Sequence, residues 1–253
     1  MTVIGVSLKM YFGHARTVEW CREIQGIARD HVAVQSGEAE LFVLPTFPSI
    51  PAAVEILNPL VSVGAQDIAA EDAGAFTGEV SGLELAELGC SLAEIGHAER
   101  RRLFGETPRQ VSEKVAAAFR SGLTPLLCVG EEERGTAATA LAACVDQLES
   151  ALSLADARGP VGPLLVAYEP VWAIGQVEPA SPAHVSAVCR GLREYLDTLE
   201  GHQGSRVIYG GSAAPGLLTD VGDALDGLFL GRFAHDPSAV RDILDEVHKL
   251  WPT

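Results

Sequence analysis

Short apolar runs of strand-forming residues alternate along the chain with longer stretches in which apolar residues recur at helical spacing. This alternation is typical of a parallel sheet covered by helices. Eight runs predict strands, namely Val3 to Leu8, Leu41 to Leu44, Val61 to Ala65, Leu92 to Gly96, Pro125 to Val129, Leu164 to Tyr168, Arg206 to Tyr209 and Gly227 to Leu230. Eight parallel strands favour a closed (β/α)₈ barrel, an α/β fold, and we predict one domain over residues 1–253.

Two of the intervening stretches have clear helical faces. The apolar residues on one face are Leu141, Cys144, Val145, Leu148 and Leu152 in the first stretch, and Val185, Val188, Leu192, Tyr195, Leu196 and Leu199 in the second. Ser181 is the predicted N-cap of the second helix, with Pro182 at the first helical position. The loop that follows the sixth strand is therefore expected to end at Ser181.

The composition excludes several classes of partner. Lys and Arg total 18 against 34 Asp and Glu, which gives a net charge of −16. This charge opposes both nucleic acid and anionic membranes, and we expect neither as a partner. A small anionic metabolite remains compatible, because a few local cations or backbone N–H groups outweigh a diffuse negative field.

The five cysteines, which are odd in number and contain no C-x-x-C pair, indicate a reducing, cytoplasmic location. We find no signal peptide and no apolar run near the ~18 residues that a membrane helix needs. The sequence predicts no metal site and no cofactor.

Ionisable and polar side chains follow three of the predicted strands. Ser7 and Lys9 lie at the end of the first strand, His97 and Glu99 follow the fourth, and Glu169 follows the sixth. A lone residue of these types is usually a solvent-exposed loop residue. Five of them at strand ends indicate a site, because the carboxyl ends of barrel strands meet at one face.

Several motifs in order resemble the triosephosphate isomerase family over essentially the whole chain. They are Leu8-Lys9-Met10, Gly64-Ala65-Gln66, Gly74 to Glu79, Ile95 to Arg101, Phe104-Gly105-Glu106, Cys128 to Glu131, Ala167 to Gly175 and Tyr209 to Ser212. The resemblance implies a TIM barrel that isomerises a short phosphorylated sugar through an enediolate.

The family resemblance also implies the family's catalytic roles for residues of this chain. Glu169 is the base that moves a proton between adjacent carbons, and His97 is a neutral electrophile. Lys9 places a positive charge against the substrate oxygens, although a surface lysine is the alternative. Glu99 resembles a carboxylate that interacts near the lysine, and an ion pair with Arg100 or Arg101 is equally compatible.

Glycines at the last two strand ends match the family's phosphate site. The segment from Pro170 to Gly175 resembles a mobile lid, in which the Gly175 N–H meets the phosphate. Gly210-Gly211-Ser212 and Gly231 supply the rest, because glycine lets backbone N–H groups approach an anion closely. A glycine pair alone usually marks only a turn, so their place in the barrel carries the prediction.

Two further segments resemble the family outside this chemistry. Cys128 resembles a cysteine near the catalytic glutamate, and we favour packing over nucleophilic chemistry for it. The loop Ala75 to Glu79 resembles one that docks into a partner subunit. The resemblance implies a homodimer in which Thr77 reaches the neighbour's active site.

Three segments depart from the commonest family pattern. Ser7-Leu8-Lys9 replaces Asn-Trp-Lys, which opens space beside the reacting carbons. Gln176 to Ala180 replaces a Thr-Gly-Lys-Thr-Ala hinge and introduces Pro179, so lid motion should differ. Gly231-Arg232 replaces Gly-Gly, and Arg232 either binds the phosphate or points to solvent.

These departures resemble the erythrulose-phosphate isomerases of erythritol catabolism, a branch of the same superfamily. That resemblance implies a four-carbon ketose phosphate, whose extra hydroxymethyl group would occupy the space that Ser7 opens. We favour this substrate somewhat over the triose phosphates of glycolysis. A barrel that binds phosphorylated metabolites without catalysis is a more distant alternative.

Overall fold

The apolar runs form the eight parallel strands of a closed barrel in a computed structural model that describes residues 1–174 and 179–250. The strands are β1 (Thr2–Ser7), β2 (Ala39–Leu44), β3 (Ser62–Ala65), β4 (Leu92–Ile95), β5 (Thr124–Val129), β6 (Leu165–Tyr168), β7 (Arg206–Tyr209) and β8 (Gly227–Leu230). Each strand pairs with its sequence neighbours, and β8 closes the barrel on β1. The predicted TIM barrel is therefore confirmed.

Helices cover the outside of the barrel. Within the described ranges they are α1 (His14–Asp30), α2 (Val32–Gln35), α3 (Ile50–Leu57), α4 (Gly82–Glu87), α5 (Ala98–Phe104), α6 (Pro108–Arg120), α7 (Ala137–Arg158), α8 (Pro182–Leu196), α9 (Leu217–Val221) and α10 (Pro237–Leu250). The predicted start of α8 is confirmed, because the Ser181 hydroxyl accepts a hydrogen bond from the His184 N–H and Pro182 is the first helical residue. One residue of the predicted helical face, Leu199, is not helical, because α8 ends at Leu196.

The predicted strand limits agree with the structure to within about two residues, the usual uncertainty of such boundaries. The largest difference is at β2, which starts at Ala39 and not at Leu41. The sequence does not indicate this start, because the charged Glu40 interrupts the apolar run. In the barrel its carboxylate forms an ion pair with Arg206, at 2.9 Å, and the backbone on either side continues the strand.

Alternate residues of each strand point into the barrel, and this alternation positions the site. The lower interior is apolar, and the rings of Phe42 and Phe229 stack there with centroids 5.8 Å apart. Gly5 leaves room for the Phe42 ring, which occupies the place where a Cβ of residue 5 would lie. The alternation continues upward to polar residues at the carboxyl end of the barrel.

None of the helices in residues 1–174 and 179–250 is long and apolar enough to cross a membrane. The five cysteines are buried and form no disulfide. Burial raises the pKa of the Cys128 thiol well above its ordinary value, and the charges of Glu169 and Glu94 add to that rise. A protonated, buried thiol fits the packing role predicted for Cys128.

Candidate active site

A cavity of about 320 Å³ opens at the carboxyl-terminal face of the barrel. Ten of the eleven site residues predicted from the sequence line it, namely Ser7, Lys9, His97, Glu99, Glu169, Gly210, Gly211, Ser212, Gly231 and Arg232. The eleventh, Gly175, lies outside the described residues, as do Gln176, Val177 and Glu178 of the predicted hinge. The strand ends therefore bring the predicted chemistry together in one place.

Lys9 holds its ammonium group in the cavity from a strained turn just after β1. Its φ of 47° is the only positive value for a residue other than glycine in the described part of the chain. Such left-handed backbone is unfavourable for side chains that carry a Cβ and is found mostly at functional sites. The Gln66 amide stabilises the turn by donating to the Lys9 carbonyl at 3.0 Å and the Leu44 carbonyl at 2.9 Å.

Glu99 is the ion-pair partner of Lys9. Its Oε1 lies 2.8 Å from the Lys9 Nζ. Of the two partners that the sequence left open for Glu99, the structure therefore shows Lys9 and not Arg100 or Arg101. Burial lowers the pKa of Lys9, but the hydrogen bond and charge of Glu99 outweigh burial and leave that pKa above its ordinary value. Lys9 therefore stays positively charged at neutral pH.

His97 is at once the N-cap of α5 and a wall of the cavity. Its Nδ1 accepts a hydrogen bond from the Glu99 N–H at 3.1 Å, which fixes the plane of the ring. Its Nε2 points into the site, 3.5 Å from the Lys9 Nζ and 3.5 Å from the Glu169 Oε2. A helix terminus thus orients the imidazole, while the opposite nitrogen faces the cavity.

Two influences on the protonation of His97 oppose each other. Burial lowers its pKa, whereas the carboxylates of Glu169 and Glu94 outweigh burial and raise it to about 9. A second proton would have to sit on Nδ1, where it would replace the hydrogen bond from the Glu99 N–H. This hydrogen bond keeps Nδ1 unprotonated, so His97 is the neutral tautomer with its proton on Nε2.

Glu169 follows β6 directly and is 4% exposed. Its backbone N–H donates to the Val129 carbonyl at 2.8 Å, which continues the ladder between β5 and β6. Its Oε2 accepts no hydrogen bond of regular geometry from the described residues. A carboxylate oxygen that accepts no hydrogen bond here is available to a ligand's proton, so the position of this atom suits it to act as a base.

Glu131 anchors the start of the predicted lid. Its Oε1 accepts hydrogen bonds from the Trp172 indole at 2.6 Å and the Tyr168 hydroxyl at 3.1 Å. Its backbone carbonyl accepts from the Val171 N–H at 3.0 Å. These bonds fix the backbone on both sides of Glu169, from Tyr168 to Trp172. They therefore limit how far the Glu169 side chain can move.

The other end of the cavity is lined mainly by backbone. Gly210 lies beside Glu169, and a Cβ at residue 210 would be 2.8 Å from the Glu169 Oε1. Among the described residues other than its chain neighbours, no heavy atom would lie within 4 Å of a Cβ at Gly231, so on that side its backbone is open to a ligand. Arg232 lines the cavity with an exposed side chain, which is compatible with both alternatives stated for it from the sequence.

Glu94, which was not predicted from the sequence, lies in β4 beneath this cavity and is 3% exposed. Its Oε2 accepts a hydrogen bond from the Ser7 hydroxyl at 3.3 Å, and its Oε1 lies 3.9 Å from the His97 Nε2. Burial raises the pKa of Glu94 to about 7, and the Glu169 charge adds to that rise. The sequence did carry a signal for this residue. Glu94 is a charged residue within the apolar run Leu92 to Ile95, and it lies two positions after the inward-pointing Leu92, so it must also point into the barrel.

Comparison with known proteins agrees with this geometry. A triosephosphate isomerase family model matches residues 2–247. L-erythrulose-1-phosphate isomerase of Pectobacterium atrosepticum is 54% identical over 248 residues, covering 98% of this chain and 96% of the relative. The protein of the same name from Rhizobium etli is 40% identical, covering 96% and 91%. Triosephosphate isomerase of Alcanivorax borkumensis is 44% identical over 189 residues, which are 72% of this chain and 75% of the relative. The chain belongs to the triosephosphate isomerase family.

Proposed function

We propose that the protein is an isomerase that moves the carbonyl group of a phosphorylated four-carbon ketose, an erythrulose phosphate, between its two internal carbons. The observation that carries the proposal is the convergence of Glu169, His97 and Lys9 on one cavity. Proton transfer between adjacent carbons needs a base, a donor to the oxygens and a compensating charge, and these residues supply one of each.

The proposed reaction begins when the Glu169 carboxylate removes the proton from the carbon next to the carbonyl. The electrons of that C–H bond form the C=C bond of an enediolate, and the negative charge moves to the former carbonyl oxygen. His97 donates a hydrogen bond from Nε2 to this oxygen, and Lys9 stabilises its charge. His97 gives its Nε2 proton to this oxygen and takes the proton of the neighbouring hydroxyl in return. Glu169 then returns its proton to the former carbonyl carbon, and the neighbouring carbon, whose oxygen has lost its proton, becomes the new carbonyl.

The substrate's phosphate is proposed to bind at Gly210-Gly211-Ser212, Gly231 and Arg232. Gly175, in the predicted lid, is proposed to complete this site. The four-carbon preference is supported by the two erythrulose-phosphate isomerase relatives, which align over nearly the whole chain. It is also supported by Ser7, whose small side chain lines the cavity beside the groups that act on the reacting carbons.

A direct test is to incubate the purified protein with L-erythrulose 1-phosphate and with dihydroxyacetone phosphate in deuterated water, and to follow both conversion and exchange. We expect conversion and exchange with both substrates, and a higher kcat/KM for the tetrulose phosphate. Triose phosphate turnover near the diffusional ceiling of ~10⁸ to 10⁹ M⁻¹s⁻¹ would contradict the four-carbon preference and favour the glycolytic reaction. Binding of both substrates without exchange would favour the non-catalytic barrel.

The assembly and location of the protein are part of the proposal. We propose a homodimer formed through the loop Ala75 to Glu79, in which Thr77 reaches the partner's site. Support comes from the exposure of this loop, where Phe76 is 45% exposed although aromatic. Sedimentation of the protein and of a Phe76→Asp variant tests the dimer, which we expect the variant to dissociate. The five unpaired cysteines support a cytoplasmic location.

A further inference from the structure

Glu94 is a buried carboxylate that the proposed proton transfer does not use. It points into the barrel from β4, one layer above Leu92, and lies below the cavity rather than in its wall. Burying a carboxylate costs free energy unless hydrogen bonds compensate for lost water. An apolar residue would fill the barrel interior at lower cost, so the carboxylate calls for a functional explanation.

The groups around Glu94 are hydrogen-bond donors. In residues 1–174 and 179–250, the Ser7 hydroxyl donates to its Oε2 at 3.3 Å, and the Cys128 thiol donates to its Oε1 at 3.9 Å. The Nε2 of His97, which carries the proton of the neutral ring, lies 3.9 Å from Oε1. Above its raised pKa the carboxylate is ionised and can only accept, which matches these three donors.

The bond from Ser7 to Glu94 determines what Ser7 offers to the cavity. A serine hydroxyl has one proton and two lone pairs. Because Ser7 directs its proton to the Glu94 Oε2, only its lone pairs remain for a ligand in the cavity that it lines. A group bound there must donate a hydrogen bond, as a hydroxyl does and as a carbon-bound hydrogen does not.

We propose that Glu94 is a positioning residue that determines specificity by holding Ser7 as an acceptor for the terminal hydroxyl of a four-carbon ketose phosphate. This inference rests on the proposed function and adds the group that recognises the fourth carbon. A triose phosphate has a hydrogen where the tetrulose has its hydroxymethyl group, so it has no hydroxyl to donate at this position. The Ser7 and Glu94 pair thus favours the larger substrate.

The test measures kcat/KM for L-erythrulose 1-phosphate, for its 4-deoxy analogue and for dihydroxyacetone phosphate with five proteins. Four of them are the wild type, Glu94→Gln, Ser7→Ala and the double variant. The fifth, Glu87→Gln, is the control, because Glu87 is an exposed glutamate in α4.

The side-chain amide of the Glu94→Gln variant can donate a hydrogen bond to Ser7, so the hydroxyl is no longer held as an acceptor and can turn its proton toward the cavity. We expect the ratio of the tetrulose to the triose constant to fall about tenfold in Ser7→Ala. In Glu94→Gln it should fall by less, because the substrate hydroxyl can still accept from a reoriented Ser7.

The double variant distinguishes action through Ser7 from a separate effect. Without the Ser7 hydroxyl, changing Glu94 should alter the ratio no further, so the two effects should not add. We also expect the preference of the wild type for the tetrulose over its 4-deoxy analogue to be lost in Ser7→Ala and reduced in Glu94→Gln. Equal losses for all three substrates, or additive losses in the double variant, would overturn the inference.

The same measurements separate this inference from the proposed function. If the wild type turns over neither tetrulose nor triose phosphate, the proposed function fails, and the inference fails with it. If the wild type is active and the ratio does not change in either single variant, only the role of Glu94 is wrong. Thermal melting of each variant at the assay pH shows whether the barrel remains folded.

Discussion

At one end of the cavity, buried and half-buried ionisable side chains surround the proposed position of the reacting carbons, whereas backbone and one exposed arginine line the proposed phosphate end. Lys9, His97 and Glu169 each have fixed neighbours in the ion pair with Glu99, the N-cap of α5 and the ladder to Val129. At the other end, Gly231 is open and Arg232 is exposed.

The difference between the two ends follows from what each must do. A transition state is stabilised by groups already held in position, because their reorganisation would otherwise add to the barrier. A phosphate is charged throughout the reaction and needs only donors that can approach it. We therefore expect substitutions at the reacting end to affect kcat, and substitutions at the phosphate end to affect mainly KM.

The largest effect is expected for Glu169→Gln. The amide cannot accept the substrate proton, so kcat should fall about 10³- to 10⁴-fold, at the upper end of the range for general acid–base catalysis. Solvent deuterium exchange into the substrate measures the loss. Affinity for inorganic phosphate serves as the internal control and should be retained, and a comparable loss of phosphate binding would show that the two ends are not separate.

Lys9→Met should have the next largest effect. It removes the positive charge opposite the enediolate and leaves Glu99 unpaired, and kcat should fall about 10²- to 10³-fold. Steady-state kinetics measures the change. Lys249→Met, at an exposed residue of α10, is the matched control and should behave as the wild type. An effect of Lys9→Met on KM alone would place Lys9 with the phosphate end.

Glu94 gives a pH-dependent prediction about stability at the reacting end. Burial raises the pKa of Glu94 from 4.5 to about 7, so the folded protein holds this proton to a higher pH than the unfolded chain. Stability therefore falls as pH rises through this window, and the cost persists above it. Glu94→Gln removes the cost and should raise Tm by about 5 °C near pH ~8.5 and by much less near pH ~5.5.

Calorimetry of Glu94→Gln and Glu87→Gln at both pH values checks this expectation. Glu87 is exposed, so its replacement should leave Tm nearly unchanged at either pH. A Glu94→Gln variant that is less stable at the higher pH would show that the carboxylate stabilises the barrel and is not a cost of function.

The smallest effect is expected for Arg232→Ala. Its exposed guanidinium is screened by solvent and salt, so KM for the sugar phosphate should rise about threefold at low ionic strength, and less at high ionic strength. Arg232→Lys retains the charge and should lie between the two. A fall in kcat of a hundredfold or more would make Arg232 part of the reacting end and break the comparison.

The fold could be predicted because its patterns are local, and most site residues could be named from the strand ends and the family resemblance. Apolar runs located all eight strands, and Ser181 with Pro182 located the start of α8. The geometry of the site depends on residues distant in sequence, so it could not be predicted in the same way. The left-handed turn at Lys9 depends on Gln66, and the bond between Ser7 and Glu94 spans 87 residues.

Inward-pointing residues of the upper barrel, such as Ser7 and Glu94, are separated by the sheet from the helices that pack on its outer face. A mutation at such a position can change the substrate without disturbing the contacts between strands and helices. If Ser7 and Glu94 select the substrate as proposed, few mutational steps separate enzymes that act on sugars of different length. The alternation of side chains along a strand therefore lets substrate specificity change at inward positions while the outward positions keep the packing of the helices.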